Sequence, residues 1–160
     1  MPRVLASSVR ILTAPTRSEV ESLAEVFDQY RALYGEPSDT ASSRRWLEQW
    51  LDSGRLRAFV AEDDGKLVGF ASAIEVPASL RLAHFWQIRD LFVLPAHRGL
   101  GVGHAILASV RAAAVESGAV RLTVQTESDN VAALRLYADG GYTLINGYCH
   151  LTLPLGSERR

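Results

Sequence analysis

The chain has 160 residues, of which 48% are hydrophobic and 22% charged, which suits one domain with a substantial core. Seventeen basic residues nearly balance eighteen acidic ones, and the net charge of -1 argues against a nucleic-acid-binding or membrane-surface protein. The only cysteine, Cys149, excludes an internal disulfide and favours a reducing compartment. No apolar run suits a signal peptide or a membrane span, so we expect a cytoplasmic protein forming one domain over residues 1–160, with its core at about 9–155.

A strand and two helices are predicted first. The strand is Val9–Leu12, and Thr16 followed by Glu19 has the spacing of a capping box, in which each side chain satisfies a backbone amide at a helix N-terminus. The apolar residues beyond it recur at helical spacing, and glycine or proline ends each helix. The first stripe is Val20, Leu23, Ala24, Phe27, Tyr30 and Tyr34, before Gly35 and Pro37; the second is Trp46, Leu47, Trp50 and Leu51, before Gly54.

Three strands are predicted next. Leu56–Glu62 and Lys66–Glu75 are joined by Asp64-Gly65, a dipeptide typical of tight hairpin turns. A loop at Pro77–Leu80 leads into a long strand, Arg81–Val93.

The long strand contains an irregularity in its apolar alternation. Two apolar pairs fall on even-numbered and odd-numbered positions respectively, so a regular strand would place them on opposite faces. One extra residue near Arg89 and Asp90, a β-bulge, would bring both pairs to the same face. Bulges are frequent beside active sites, so this position is a candidate for function. The two pairs are Trp86 with Ile88 and Leu91 with Val93.

The remaining elements complete a single-domain α/β (α+β) fold. A helix with apolar residues from Ile106 to Ala114 stops at Gly118, and the strand Arg121–Thr126 should then lie parallel to the long strand through a right-handed crossover. The predicted order is βααβββαβαββ, a mixed, mostly antiparallel sheet flanked by helices. The last elements are a helix, Asn130–Ala138, ended by Gly140-Gly141, and a hairpin of Tyr142–Ile145 and Tyr148–Leu153 around Asn146-Gly147, which would bury Cys149.

A glycine-rich loop between the long strand and the following helix is the clearest candidate binding site. Bare backbone amides at a helix N-terminus bind anions, and glycine lets phosphate oxygens come close to the chain. A dinucleotide fingerprint fails because Ile106 stands where its third glycine belongs, and no P-loop string occurs. A loop without a ligand is the remaining alternative from the residues alone. The loop is Arg98-Gly99-Leu100-Gly101-Val102-Gly103-His104.

This loop resembles the (Arg/Gln)-x-x-Gly-x-(Gly/Ala) motif of the GNAT superfamily of N-acetyltransferases, which holds the pyrophosphate of coenzyme A. A second segment is similar to the family pattern N-x-x-A-x-x-L-Y-x-x-x-G-(F/Y): it begins at Asn130, reaches Tyr137 and ends at Gly140-Gly141-Tyr142. Both segments stand at the family's distance on the predicted elements, so the resemblance covers nearly the whole chain and implies acetyl-CoA as co-substrate.

The resemblance also implies roles for particular residues. Tyr137 would protonate the departing thiolate, Asn130 would bind the cofactor near its sulfur, and the amide of Val93 would stabilise the oxyanion. The pantetheine arm would pair with the backbone of Leu91, Phe92 and Val93. The pyrophosphate would be held by Arg98, Gly99, Leu100, Gly101, Val102, Gly103 and His104.

The chain departs from many relatives at Arg89, where a glutamate often serves as the base. An arginine cannot accept the proton, so the alternatives are Asp90, Glu75 or His84 as a substitute base, or an amine that arrives already neutral. An arginine there could also favour an acceptor that bears a carboxylate, or simply face solvent. In this family the first two helices often shape the acceptor side, but most of their aromatic residues are expected to pack the core. Those residues are Tyr30, Tyr34, Trp46 and Trp50.

The expected function is acetyl transfer to a primary amine, on a small molecule, by direct attack on the thioester. Two alternatives stay open: acetylation of a protein lysine or N-terminus, and a module that binds acyl-CoA without turnover. The histidines lack metal-ligand spacing, so we expect no metal. The family also makes a homodimer possible.

Overall fold

The computed structural model describes residues 8–156 as a five-stranded sheet with helices on both faces. The spatial order of the strands follows the chain, β1-β2-β3-β4-β5. The first four strands are antiparallel to their neighbours, and β5 is parallel to β4, as predicted for a strand reached through a helix. The strands are β1 (Ser8–Leu12), β2 (Arg57–Asp63), β3 (Lys66–Ala78), β4 (Ala83–Val93) and β5 (Leu122–Val124).

Four α-helices flank this sheet, and the predicted capping box is confirmed at the first. The Thr16 amide donates to the Glu19 carboxylate at 2.7 Å, and the Thr16 hydroxyl accepts the Glu19 amide at 3.3 Å. Within residues 8–156, no helix combines the length and apolarity needed to cross a membrane. The helices are α1 (Arg17–Leu33), α2 (Thr40–Asp52), α3 (Val102–Glu116) and α4 (Val131–Asp139), with short 3-10 turns at Ser79–Arg81 and Pro95–His97.

Alternation along the strands creates one core on each face of the sheet. Consecutive side chains of a strand point to opposite faces, so Val60 packs beneath α1 and α2 while its neighbour Phe59 packs beneath α3. Phe70 and Ala71 divide in the same way. Strands covered on both faces therefore carry nearly continuous apolar runs. The same sheet fixes the positions of the helices on its two sides.

A buried carboxylate fixes the connection between α1 and α2. Asp28 is 4% exposed and accepts hydrogen bonds from the Ser38 hydroxyl at 2.5 Å, the Asp39 amide at 3.0 Å and the Ser43 hydroxyl at 2.9 Å. Arg31 pairs with the same carboxylate at 3.1 Å. Since buried charges are tolerated only when they are paired and hydrogen-bonded, this network holds the C-terminal half of α1 in place.

The predicted bulge is present, and Arg89 is its extra residue. Ile88 lies opposite Ala73 and Asp90 opposite Ser72, so Arg89 has no partner on β3. On its other side β4 pairs with β5 only through residues 86–88. The two parallel strands therefore separate after the bulge, and this separation explains why β5 is shorter than the predicted strand Arg121–Thr126.

The predicted hairpin after α4 is wrong. Residues 142–153 form no strand, although Gly147 takes the positive φ of +87° expected for a turn. An isolated hairpin is marginal in water, and β5 offers only three residues against which it could pair. Cys149 is exposed rather than buried. Between residues 144 and 155, six apolar side chains are 63–93% exposed: Leu144, Ile145, Tyr148, Leu151, Leu153 and Leu155.

Candidate active site

A cleft of about 210 Å³ opens where β4 and β5 separate. Its walls come from α1, from the bulged part of β4, from the chain after β5 and from α4. Three parts of the chain that are distant in sequence, α1, β4 and the region from β5 to α4, thus meet at one place beside the bulge. The residues that line it are Tyr30, Tyr34, Ile88, Arg89, Asp90, Leu91, Val124, Gln125, Thr126, Glu127, Asn130, Ala133 and Tyr137.

The backbone of β4 after the bulge presents free groups to this opening. The Leu94 amide donates to the Val68 carbonyl at 2.9 Å, and hydrogen-bonded pairs alternate along an antiparallel ladder. Leu91 and Val93 are therefore non-hydrogen-bonded positions relative to β3, and their amides and carbonyls point toward the gap that β5 has left. These two residues were predicted to contact the pantetheine arm, and the ladder places their backbone groups where an added strand could pair.

Phe92 differs from its two neighbours. The same alternation pairs its backbone with Phe70 on β3, and a Cβ atom built on Gly69 would lie 2.9 Å from the Phe92 carbonyl oxygen. That oxygen therefore points toward β3 and away from the gap. The expectation that Phe92 also pairs with pantetheine does not fit this ladder, and its ring is buried beneath α1.

The glycine loop leads into an uncapped helix. Side chains cap the N-termini of α1, α2 and α4, whereas α3 begins at Gly101 without a side-chain cap. Gly99 and Gly101 have φ of +72° and +84°, a left-handed conformation that glycine adopts without steric cost. The first free amides of α3 belong to Val102, Gly103 and His104, so this end of the helix can accept an anion.

The side chains of the loop have separate tasks. Arg98 donates from Nε to the Val93 carbonyl at 2.9 Å and lies over the Phe92 ring at 5.5 Å, which ties the loop to the end of β4. A Cβ on Gly103 would lie 3.1 Å from the Leu136 side chain, so this glycine permits close packing of α3 against α4. Val102 is buried, Leu100 is exposed, and His104 approaches Asp139 at 3.4 Å.

Asn130 and Tyr137 reach the cleft from α4. The Asn130 side-chain oxygen accepts the Ala133 amide at 3.2 Å and caps the helix, while its amide nitrogen has no partner among residues 8–156. Tyr137 is 8% exposed, and its ring lies 5.6 Å from that of Tyr142. Burial, followed by nearby charges that include Glu127, raises the pKa of Tyr137 to about 12. Its hydroxyl therefore stays protonated at neutral pH and is able to donate.

Of the three residues considered as substitutes for the usual base, only Asp90 lines the cleft. It lies opposite Ser72 on β3 and accepts hydrogen bonds from the hydroxyls of Ser72 and Tyr30. Burial and then the Asp90 charge raise the pKa of Tyr30, so Tyr30 remains a donor. Glu75 instead pairs with Arg57 at 3.2 Å, and His84 lies 3.3 Å from Ser117 at the end of α3.

Several cleft residues were not singled out as site residues from the sequence. Glu127 follows β5 in an ordinary polar turn. Burial raises the pKa of Tyr34, and the charge of Glu127 raises it further. Ser72 does not line the cleft but donates to Asp90, and a buried serine within an apolar strand is a pattern that could have attracted attention. Tyr30 and Tyr34 line the cleft, whereas Trp46 stacks on Phe27 and Trp50 packs against the same core.

Comparison with known proteins agrees with this architecture. The model of the Acetyltransferase (GNAT) family matches residues 23–142. The chain is 32% identical to YhfO of Bacillus subtilis, an uncharacterized N-acetyltransferase, across 88% of this chain and 95% of the relative. It is 34% identical to a mycothiol acetyltransferase of Sanguibacter keddieii across 68% of this chain but only 34% of that protein. The crystal structure of a probable acetyltransferase superposes with a TM-score of 0.85 at 30% identity, over 94% of this chain and 99% of the other. The chain therefore belongs to the GNAT acetyltransferase family and is an acyltransferase.

Proposed function

We propose that the enzyme transfers an acetyl group from acetyl-CoA to a primary amine of a small molecule, by direct attack of the amine on the thioester. The observation that carries this proposal is the gap beside the bulge, where free backbone groups of β4, a carboxylate and a buried tyrosine hydroxyl converge. A relative named as a mycothiol acetyltransferase supports a small-molecule acceptor.

The donor would be bound along β4 and at the start of α3. Uncapped amides of α3 and the Arg98 guanidinium suit the pyrophosphate, because a helix N-terminus and a fixed positive charge both stabilise anions. The amide and carbonyl of Leu91 and the amide of Val93 would pair with the pantetheine arm as a neighbouring strand does, since the Val93 carbonyl already accepts from Arg98. Asn130 would donate from its free side-chain nitrogen near the sulfur end.

The chemical step needs a proton acceptor and a proton donor. The neutral amine nitrogen attacks the thioester carbonyl carbon, a carbon–nitrogen bond forms, and the carbon–sulfur bond breaks. Asp90 would take one proton from the bound ammonium group and so produce that neutral nitrogen, and the second nitrogen proton would leave to solvent as the amide forms. Tyr137 would give its proton to the leaving thiolate and regain one from solvent. The Val93 amide would donate to the oxyanion that develops on the carbonyl oxygen. Holding amine and thioester in one cleft supplies alignment as a further rate advantage.

The experiment is the release of free thiol from acetyl-CoA in the presence of polyamines, amino acids, aminoglycosides and a lysine-containing peptide. We expect amine-dependent release, with the product heavier by one acetyl group in mass spectrometry. If acetyl-CoA raised the melting temperature but no acceptor caused thiol release, the protein would be a module that binds acetyl-CoA without turnover. Acetylation of the peptide alone would show that the acceptor is a protein amine. Failure of acetyl-CoA to bind would contradict the proposed function.

A further inference from the structure

Two charged neighbours at the bulge of β4 line the cleft. They are Arg89 and Asp90, which stand where β4 loses its pairing with β5. Asp90 lies opposite Ser72 on β3, whereas Arg89 has no partner there, so Arg89 is the residue that the bulge inserts next to the assigned base. A cation and an anion thus enter the acceptor side of the cleft from consecutive residues.

These two charges do not neutralise each other. Asp90 takes its hydrogen bonds from Ser72 and Tyr30, and no ion pair joins it to Arg89. Within the described residues, 8–156, the Arg89 guanidinium makes no ion pair or hydrogen bond. A guanidinium group is a planar, bidentate partner for a carboxylate. The cleft therefore offers one unsatisfied cation beside a carboxylate that is already held in position.

We infer that the acceptor carries a carboxylate in addition to its amine, as an amino acid does. This inference rests on the proposed function and assigns a substrate class to the same site. The acceptor's amine would lie at Asp90 and its carboxylate at Arg89. Glu127, on the β5 side of the cleft, would repel the carboxylate and so direct it toward the β4 side.

The test uses pairs of acceptors that differ in the carboxylate alone: lysine with lysinamide, and ornithine with putrescine. For the wild-type enzyme we expect kcat/KM to be at least about tenfold higher for the acid of each pair, chiefly through KM. Arg89→Gln should bring the ratio to about one, and Arg89→Glu should invert it. Arg55→Gln is the matched control, because Arg55 is an exposed arginine outside the cleft, and it should keep the wild-type ratio.

The outcomes separate the inference from the function on which it rests. Equal kcat/KM for both members of each pair, or a preference for putrescine, would overturn the inference alone. A wild-type ratio retained by a folded Arg89→Gln protein would show that another group selects the carboxylate, and it would also overturn the assignment. No thiol release with any acceptor would overturn the proposed function together with the inference.

Discussion

Asp90→Asn removes the charge of the residue assigned as the base while it preserves the shape of the side chain. The asparagine oxygen can still accept the hydroxyls of Ser72 and Tyr30, so the melting temperature should fall only modestly, by an equivalent of about 1 kcal/mol. Without the carboxylate, the enzyme must capture amine that is already neutral. For an amine with a pKa of about 10.4, this fraction near pH 7.4 is about one in 10³. We therefore expect kcat/KM to fall by about 10²–10³.

The pH profile separates loss of a base from loss of structure. In the variant, kcat/KM should rise about tenfold per pH unit toward the pKa of the acceptor, whereas the wild-type profile should stay nearly flat over the same range. Glu75→Gln is the control, because Glu75 is a carboxylate of the neighbouring strand that pairs with Arg57 outside the cleft. Its activity should equal that of the wild type. Wild-type activity and slope in a folded Asp90→Asn protein would show that the proton leaves by another route.

Three further predictions address the acid, the loop and the fold. Tyr137→Phe keeps the ring against Tyr142 and removes only the hydroxyl. In steady-state kinetics it should lower kcat and kcat/KM together by about 10²–10⁴, with little change in acetyl-CoA affinity. Full activity of this variant would show that Tyr137 is a packing residue and not the acid. Gly101 and Gly118 have similar positive φ angles, so Gly101→Ala and its control Gly118→Ala should each lower the free energy of unfolding by about 1 kcal/mol in thermal melts. Calorimetry should show weaker CoA binding for Gly101→Ala alone. Burial would raise the pKa of Asp28, but its hydrogen bonds lower that pKa from 3.8 to about 2. It therefore adds stability above about pH 4 that is lost as the pH falls toward 2. In urea denaturation, Asp28→Asn should cost about 2 kcal/mol at pH 5 and little at pH 2, and an equal loss at both would contradict this account.

Local signals in the sequence predicted the features that depend on neighbouring residues. The capping box follows from the spacing of Thr16 and Glu19, and the bulge near Arg89 follows from the change of parity along β4. The anion-binding start of α3 follows from a glycine loop placed between a strand and a helix. Each of these depends on at most about eight consecutive residues, and hydrogen-bond geometry within such a segment leaves few alternatives.

Features that depend on residues far apart in the chain could not be predicted in the same way. The contact of Tyr30 with Asp90 depends on how α1 lies across the sheet, and the contact of Ser72 with Asp90 depends on a register shifted by one residue. The alternating apolar residues after α4 had the pattern of a hairpin, but pattern alone does not supply a strand for it to pair with. The pairing length of β5 decides that outcome, and the bulge on β4 decides the pairing length.

The single extra residue at position 89 accounts for several properties of the site at once. It ends the pairing of β4 with β5, and so it opens the cleft. Because the pairing ends there, the amide and carbonyl of Leu91 and the amide of Val93 are left for an added strand, while the Val93 carbonyl accepts from Arg98. Arg89 and Asp90 both line this cleft, so an acceptor that carries a carboxylate and an amine has an oppositely charged partner for each group. Deleting Arg89 should therefore restore regular alternation, extend β5 and close the cleft, with a folded but inactive protein as the expected result. Retained acetyl transfer in that deletion would show that the bulge is not what creates the site.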